Sequence, residues 1–271
     1  MSLLSIKVND SFHLLRGARR YGMFAKKKGM LEPWRTGKVI RIEDATFNTR
    51  RFWIEVPDVE RFDFLPGQFV TLDLPISEKR NKRWRSYSIA SHPDGSNVIE
   101  LVIVLLEGGL GTNYLFNEIK EGSELTLRGP QGTFVLPKEL DKNLFLICTG
   151  TGVAPFRSMI HYIHQNNIPH RNIYLFFGCR LLSDCLYKDE LEALSKEMNG
   201  FYYLPTFSRE DHNNASINHG YVHHLYEDVI MKEKSPATFF LCGWKNMIDE
   251  AKANILSFGY SKYDVHLELY G

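Results

Sequence analysis

Two glycine-rich turns have the composition of sites for anionic ligands. One is CTGTGVAPF, in which Gly150 and Gly152 let the backbone approach a ligand and Pro155 suits a first helical turn. The other is EGGLGT, residues 107–112, which also follows a strand-like stretch and precedes a helix-like one. Backbone amides and the dipole at the start of a helix favour negative charge. The two turns therefore predict two pyrophosphate sites, although a tight strand-to-helix turn without a ligand is the alternative for the first.

Two strand-like stretches add side chains that suit an aromatic ligand carrying phosphates. In RWRSYS, Arg85 suits a phosphate, Tyr87 a flat ring and Ser88 a ring nitrogen. In HLELYG, Glu268 and Tyr270 are two positions apart, so a regular strand would present both on one face. The alternatives are an ordinary barrel strand for the first stretch and a tyrosine that packs on the last strand of a sheet for the second.

The elements that must position these residues change in character along the chain. Between residues 36 and 138, short alternating stretches are separated by turn residues, which is typical of an antiparallel β-barrel. From residue 142 to residue 271, strand-like and helix-like stretches alternate, which predicts a parallel α/β sheet covered by helices. We therefore predict two domains with these limits, preceded by a basic arm at residues 1–35.

Length and composition allow two domains and exclude several functional classes. The chain has 271 residues, of which 44% are hydrophobic, so it has apolar material for two cores. The longest apolar run, Val98–Leu106, contains Glu100 and is too short to span a bilayer, and no signal-peptide pattern is present. We expect a cytoplasmic, monomeric protein without a membrane span. The formal net charge of +1 argues against a dedicated nucleic-acid binder.

The cysteines and histidines do not form a metal-binding motif. Four cysteines are scattered without a CxxC pair, at Cys148, Cys179, Cys185 and Cys242. His161 and His164 lie one helical turn apart and His223 adjoins His224, but no cysteine or carboxylate completes a ligand set near them in sequence. We predict no metal site, so any electron-carrying group is bound non-covalently or belongs to a partner.

Two segments of the chain are strongly basic. One lies between Arg16 and Arg35, and the other between Lys79 and Arg85. Solvated surface is one interpretation. A steering patch for an acidic protein partner is the other, because local potential speeds association even when the net charge is near zero.

The motifs and their order resemble the ferredoxin–NADP reductase superfamily, which joins an FAD-binding barrel to a nucleotide-binding α/β domain. Four family motifs occur in the family's order: Arg-x-Tyr-Ser at 85–88, Gly-x-x-Thr at 109–112, Gly-Thr-Gly-x-Ala-Pro at 150–155 and Cys-Gly-x-x-x-Met at 242–247. Plant-type members also end with an acidic residue followed two positions later by an aromatic one, which Glu268 and Tyr270 match. The resemblance covers residues 36–271.

The resemblance implies an FAD site in the first domain. Arg85 would pair with the FAD pyrophosphate, Tyr87 would lie against the isoalloxazine, and Ser88 would bind near the N5 atom that receives hydride. The implied FAD-binding set is Arg85, Ser86, Tyr87, Ser88, Val102, Val104, Gly109, Leu110, Gly111, Thr112 and Tyr270.

The resemblance also implies a nicotinamide dinucleotide site in the second domain. The implied set is Gly150, Thr151, Gly152, Pro155, Ser208, Arg209, Cys242 and Gly243, and the implied catalytic residues are Ser88, Cys242, Glu268 and Tyr270. Tyr270 would cover the flavin and move aside for nicotinamide. NADPH is favoured over NADH because Arg209 offers a charge-assisted contact to a 2′-phosphate and no acid that binds a ribose follows the second strand.

The main functional prediction is a flavoprotein that moves hydride between NADPH and FAD and exchanges single electrons with a ferredoxin or flavodoxin. An alternative is the NADH-dependent reductase component of an oxygenase or hydroxylase system. A third class, a non-catalytic flavin or nucleotide module, is disfavoured by the presence of Ser88, Cys242 and Glu268 together.

Overall fold

The computed structural model describes residues 32–211 and 215–270. The predicted basic arm therefore lies outside the described residues except for 32–35, and so does Gly271. Within the described part of the chain, no helix combines the length and the apolar character needed to cross a membrane.

The first half of the described chain forms an antiparallel sheet that closes on itself. Its strands are β1 (Trp34–Thr46), β2 (Thr49–Glu55), β3 (Phe69–Asp73), β4 (Trp84–Ser88), β5 (Val98–Val104) and β6 (Glu124–Gln131), with helix α1 (Leu110–Asn117) after β5. The strand order is β4-β3-β6-β1-β2-β5. A bridge between Ile89 and Leu101 links the end of β4 to β5. This closure makes the sheet a barrel.

The second half forms a parallel sheet with helices on both faces. Its elements are β7 (Asn143–Thr149), α2 (Val153–Gln165), β8 (Ile173–Cys179), α3 (Lys188–Glu197), β9 (Phe201–Phe207), β10 (Asn218–His219), α4 (Val222–Glu233), β11 (Ala237–Gly243), α5 (Lys245–Ser257) and β12 (Val265–Leu269). The order is β10-β9-β8-β7-β11-β12. Helices α2 and α3 pack on one face, and α4 and α5 pack on the other.

Nearly continuous apolar sequence explains the central strands. Strands β7 and β8 read NLFLICT and IYLFFGC, and almost every position in them is buried. A parallel strand covered by helices on both faces has no solvated side, so it does not alternate between apolar and polar residues. The strand order reverses at β7. From β7 the sheet is built outward to β8, β9 and β10 on one side, and then to β11 and β12 on the other. In such sheets, ligands bind at the carboxyl ends of the strands where the order reverses.

The predicted fold class is confirmed, since the structure contains an antiparallel barrel followed by a parallel sheet with helices. Strand β10, of only two residues, was missed because Asn218 and His219 carry no apolar pattern. The first sheet ends at Gln131 and the second begins at Asn143. The domain limits of 36–138 and 142–271 stay predictions.

Candidate functional site

A cleft of about 1530 Å³ lies between the barrel and the carboxyl ends of the parallel strands. Most of the predicted site residues line it: Arg85, Ser86, Tyr87, Ser88, Val102, Val104, Gly109, Leu110, Gly111, Thr112, Gly150, Thr151, Ser208, Arg209, Gly243, Glu268 and Tyr270. Gly152, Pro155 and Cys242 do not line it, because all three are buried behind its wall. The cleft therefore brings together residues from both halves of the sequence.

The turn before α1 and the Arg85 side chain form one basic corner of the cleft. A Cβ added to Gly111 would lie 3.0 Å from Arg85 Cγ and 3.1 Å from its Nε, so the absence of a side chain here lets the helix start pack closely against the arginine. Gly109 is the residue before the helix, and the first amides of a helix have no intrahelical acceptor. A guanidinium beside free amides suits a pyrophosphate.

Thr112 stabilises this turn through its hydroxyl. Thr112 Oγ1 donates to the Gly109 carbonyl at 3.1 Å and accepts a hydrogen bond from the Leu106 amide at 3.1 Å. Arg85 is anchored in a similar way, because its Nη1 donates to the Trp84 carbonyl at 2.8 Å and to the Lys82 carbonyl at 3.1 Å. Because the Thr112 hydroxyl is used within the turn, the backbone amide of Thr112 is the group that remains for a ligand.

A hydrogen bond between Ser88 and Glu268 joins the barrel to the parallel sheet in the middle of the cleft. The Ser88 hydroxyl, 4% exposed at the end of β4, donates to Glu268 Oε1 in β12 at 2.5 Å. Burial raises the pKa of Glu268, and the hydrogen bond from Ser88 partly offsets this rise. Burial also raises the pKa of Tyr87, on the same strand as Ser88, to about 12. The phenol of Tyr87 is therefore neutral at physiological pH.

Tyr270 closes the cleft next to this pair. Its amide donates to the Gly243 carbonyl at 2.9 Å, which ties the end of β12 to the end of β11. Its hydroxyl is hidden from solvent but makes no hydrogen bond of acceptable geometry to the described residues. Burial, and then the neighbouring Cys242 and Glu268, raise the pKa of Tyr270. Burial also raises the pKa of the Cys242 thiol, which is therefore protonated.

The two glycines of the second turn have different tasks. Gly150 has a φ of +53°, which favours glycine, and a Cβ there would meet nothing within 4 Å. A Cβ on Gly152 would lie 2.4 Å from the Cys242 carbonyl oxygen, so this glycine permits the close approach of the turn to β11. Gly150 thus faces open space for a ligand, whereas Gly152 is needed for packing.

Thr149, immediately before this turn, was missed by the sequence analysis. Its hydroxyl oxygen is buried, lies at the carboxyl end of β7 and has no hydrogen-bond partner in the part of the chain that the structure describes. A buried polar group without a partner is rare in proteins. Thr149 also lines the cleft, so a ligand in the turn would supply a partner. The open glycine and the unpartnered hydroxyl fit a dinucleotide.

Two exposed arginines meet at the far end of the cleft. Arg209 follows β9, and its amide donates to the carbonyl of Arg180 at 2.9 Å, which places the two residues side by side. Both arginines and Ser208 line the cleft. Arg180 was missed as a site residue, although its position directly after β8 was a usable signal. Tyr221, at the start of α4, is 70% exposed and lines the cleft beside them.

Two of the histidines considered as metal ligands, His161 and His223, make contacts within the packed helices. His161 Nε2 lies 2.6 Å from Glu190 Oε1, and His223 Nδ1 lies 2.8 Å from the Tyr226 hydroxyl. Within residues 32–211 and 215–270, no group of three or more histidine, cysteine or acidic side chains could hold one metal ion.

Comparisons with known families match both halves of the described chain. The oxidoreductase FAD-binding domain model matches residues 36–136, and the oxidoreductase NAD-binding domain model matches residues 146–253. Barrel, parallel sheet and shared cleft thus define an oxidoreductase with one domain for FAD and one for a nicotinamide dinucleotide.

Relatives narrow this class to a family. Ferredoxin–NADP reductase B of Sorangium cellulosum is 34% identical over 228 residues, which cover 82% of this chain and 91% of the relative. The anthranilate 1,2-dioxygenase electron transfer component of Acinetobacter baylyi is 31% identical, and the match covers 72% of this chain but only 54% of that longer protein. The chain belongs to the ferredoxin–NADP reductase superfamily.

Solved structures show the same fold. The Amycolatopsis cytochrome P450 reductase GcoB superposes with a TM-score of 0.77 at 25% identity, over 89% of this chain and 71% of that one. A ferredoxin NADP+ reductase from Neisseria gonorrhoeae with bound FAD and NADP gives a TM-score of 0.72 at 24% identity, over 87% and 98% of the respective chains.

Proposed function

We propose that this protein moves hydride between NADPH and bound FAD and exchanges single electrons with a ferredoxin or flavodoxin. When bound, FAD accepts a hydride and releases electrons one at a time. The observation that carries the proposal is that the basic corner at Arg85 and the open turn at Gly150 border one cleft, with the Ser88–Glu268 hydrogen bond also lining it.

The barrel residues would hold FAD. Arg85 and the amides at the start of α1 would bind the pyrophosphate, and the neutral ring of Tyr87 would lie against the isoalloxazine. Val102 and Val104 would give the cleft an apolar wall. Ser88 donates its one hydroxyl hydrogen bond to Glu268, which would fix the orientation of the hydroxyl and leave its oxygen to accept a hydrogen bond at the ring.

The parallel sheet would hold the dinucleotide. Gly150, Thr151 and the Thr149 hydroxyl would bind its pyrophosphate. Ser208 and Arg209 would bind a 2′-phosphate, with Arg180 as the second basic group beside them. Cys242 would act as an uncharged buried wall behind the nicotinamide, because burial raises the pKa of its thiol.

Replacing Arg209 with Ala should weaken NADPH binding by about 10- to 100-fold and leave NADH binding nearly unchanged. A charge-assisted hydrogen bond to a phosphate contributes about 1.5–3 kcal/mol, and NADH lacks that phosphate. Dissociation constants for both coenzymes, from titration of the oxidised protein, check this expectation. Arg171→Ala is the control, because Arg171 is exposed at the opposite, amino-terminal end of β8. Equal losses for the two coenzymes in Arg209→Ala would refute the NADPH assignment.

Replacing Tyr270 with Ser should tighten nucleotide binding by about tenfold. If the tyrosine ring occupies the nicotinamide position most of the time, only the minor open state binds nucleotide. The apparent affinity is then the affinity of the open state multiplied by the fraction of protein in that state. Titration with NADP+ and NAD+ measures the effect, and discrimination against NAD+ should weaken. Tyr263→Ser is the control, since Tyr263 is 80% exposed and does not line the cleft. Unchanged affinities would mean that Tyr270 only packs against the sheet.

An acidic protein is the proposed electron partner. The stretch from Lys79 to Arg85 adjoins the cleft, because Trp84 and Arg85 line it. The test is NADPH oxidation with ferredoxin or flavodoxin as acceptor at increasing salt. A rate that falls with salt supports the basic patch, since screening weakens such steering. A rate independent of salt, or no transfer to either carrier, contradicts this part of the proposal.

The second candidate function is the NADH-dependent reductase component of an oxygenase system. It is favoured by the similarity to the anthranilate 1,2-dioxygenase electron transfer component, which is nearly as identical in sequence as the reductase relative. Faster flavin reduction by NADH than by NADPH, together with failure to reduce ferredoxin or flavodoxin, would favour this function.

A further inference from the structure

A buried carboxylate connects the barrel to the parallel sheet behind the cleft. Glu100 in β5 is only 2% exposed. Its Oε1 accepts hydrogen bonds from Arg51 Nε at 2.6 Å and from the Tyr187 hydroxyl at 2.7 Å, and its Oε2 accepts one from Arg157 Nη1 at 3.0 Å. Arg51 belongs to β2, Arg157 to α2, and Tyr187 precedes α3. We call these four residues the hub.

Arg157 contacts both halves of the molecule. Toward the barrel, its Nη1 also donates to the Ala90 carbonyl at 2.9 Å. Within the parallel-sheet half, its Nε and Nη2 donate to the Glu190 carboxylate of α3 at 2.6 and 3.0 Å. Burial raises the pKa of Glu190, but hydrogen bonds from His161 and Arg157 outweigh burial and lower it to about 2. Glu190 is therefore ionised, and Arg157 contacts the carboxyl groups of both Glu190 and Glu100.

The Tyr187 ring contacts both guanidiniums of the hub. Arg51 Cζ is 4.8 Å and Arg157 Cζ 4.5 Å from the ring centroid. The backbone of Tyr187 has a φ of +56°, in the left-handed region that bulky residues seldom adopt. A strained residue of this kind persists only where its surroundings over-determine it, and such residues cluster at functional sites.

The hub joins the elements that lead into the two sides of the cleft. Strand β5 carries Val102 into the cleft and continues to the turn at Gly109. Helix α2 begins directly after Gly152, and Arg157 lies in its second turn. The bond from Glu100 to Arg157 therefore connects the support of one anion turn to the support of the other.

Net stabilisation alone explains such a group poorly. A buried ion pair often contributes no more than apolar side chains of the same volume, because desolvation offsets the attraction. The contacts of Glu100 are, however, directional. Its Oε1 is held by Arg51 and Tyr187, and its Oε2 is held by Arg157 of helix α2. Directional contacts between two rigid bodies specify their mutual orientation.

We propose that Glu100 is a positioning residue that fixes the orientation of the barrel relative to the parallel sheet, and so aligns the two sides of the cleft for hydride transfer. The proposal rests on the proposed function, because hydride transfer requires both sides of the cleft to be loaded. Glu100 itself lies outside the cleft and does not line it.

The kinetic test is Glu100→Gln. Gln keeps the shape of the side chain but replaces one carboxylate oxygen with an NH2 group. That group donates hydrogen bonds and cannot accept those that the oxygen accepts in the parent. We expect flavin reduction at saturating nucleotide to slow by about 10- to 100-fold, since misplacement of about 1 Å can reduce a rate by two orders of magnitude. FAD content and the dissociation constant of the nucleotide should stay unchanged. Glu190→Gln is the matched control, because it removes an ion pair of the same Arg157 within the parallel-sheet half.

The second test needs neither FAD nor nucleotide. Cysteines introduced at exposed Glu60 in the barrel half and exposed Tyr263 in the parallel-sheet half carry spin labels, and pulsed electron paramagnetic resonance gives the distribution of distances between them. We expect a narrow distribution in the parent and in Glu190→Gln, and a broad or shifted one in Glu100→Gln. If Glu100→Gln does not fold, Tyr187→Phe replaces it, because that change removes one donor and keeps the ring.

The outcomes separate this proposal from the proposed function. An unchanged distance distribution in the Glu100 or Tyr187 variant overturns the positioning role, whatever the rate. An unchanged rate in a variant with a broad distribution overturns the link to hydride transfer. If NADPH and NADH both fail to reduce the parent protein, the proposed function fails, while the distance measurement still decides whether the hub fixes orientation.

Discussion

Replacing Ser88 with Ala is expected to slow reduction of bound FAD by about 100- to 1,000-fold. Loss of one oriented hydrogen-bonding group at a reacting centre typically has an effect of this size. Ser88 is buried at the end of β4, and its hydroxyl donates to Glu268 at 2.5 Å, which leaves its oxygen as an oriented acceptor in the cleft. FAD should remain bound, because Ser88 does not contribute to the basic corner.

Rapid mixing of the Ser88→Ala protein with NADPH under anaerobic conditions measures this effect. Ser123→Ala is the control, because Ser123 lies in the turn before β6 and does not line the cleft. The FAD absorbance spectrum before mixing shows that the variant is loaded. A Ser88→Ala rate equal to that of the parent would remove Ser88 from the reacting centre.

Replacing Arg85 with Ala should weaken FAD binding by at least about 100-fold, so that the protein purifies nearly colourless. The guanidinium lies against Gly111 at the start of α1, where it supplies the only full positive charge that we assign to the FAD pyrophosphate. A bidentate charge-assisted contact of an arginine with a phosphate is strong, and a lysine or water does not reproduce it.

Titration of the apoprotein with FAD, followed by flavin fluorescence, gives the dissociation constant. Arg80→Ala is the matched control, since it removes the same charge from an exposed position in the loop that precedes β4. Similar losses in the two variants would mean that general basic charge, and not the Arg85 contact, holds FAD.

The fold followed from the sequence because its two halves have different periodicities. Apolar runs such as NLFLICT and IYLFFGC, separated by helix-like stretches, are typical of a parallel sheet. The turns at Gly109 and Gly150 follow strands, so their meeting in one cleft was predictable once both folds were recognised. The structure brings them to the same cleft.

Other features required the coordinates. In the sequence, Gly150 and Gly152 are equivalent, and only their surroundings show that one faces open space and the other packs against the Cys242 carbonyl. Glu100 stood out only as a charge that interrupts an apolar run. Its partners are distant in sequence and come from three different elements, so no local pattern could predict the hub.

The central claim is that nicotinamide delivers hydride to FAD within this cleft. Its most direct test is anaerobic stopped-flow mixing of the FAD-loaded protein with NADPH deuterated at either the pro-R or the pro-S position of C4. We predict that the flavin absorbance bleaches and that deuterium at one of the two positions, but not the other, slows the bleaching. A flavin that stays oxidised with both NADPH and NADH, or one whose bleaching is slowed by neither label, would contradict the account.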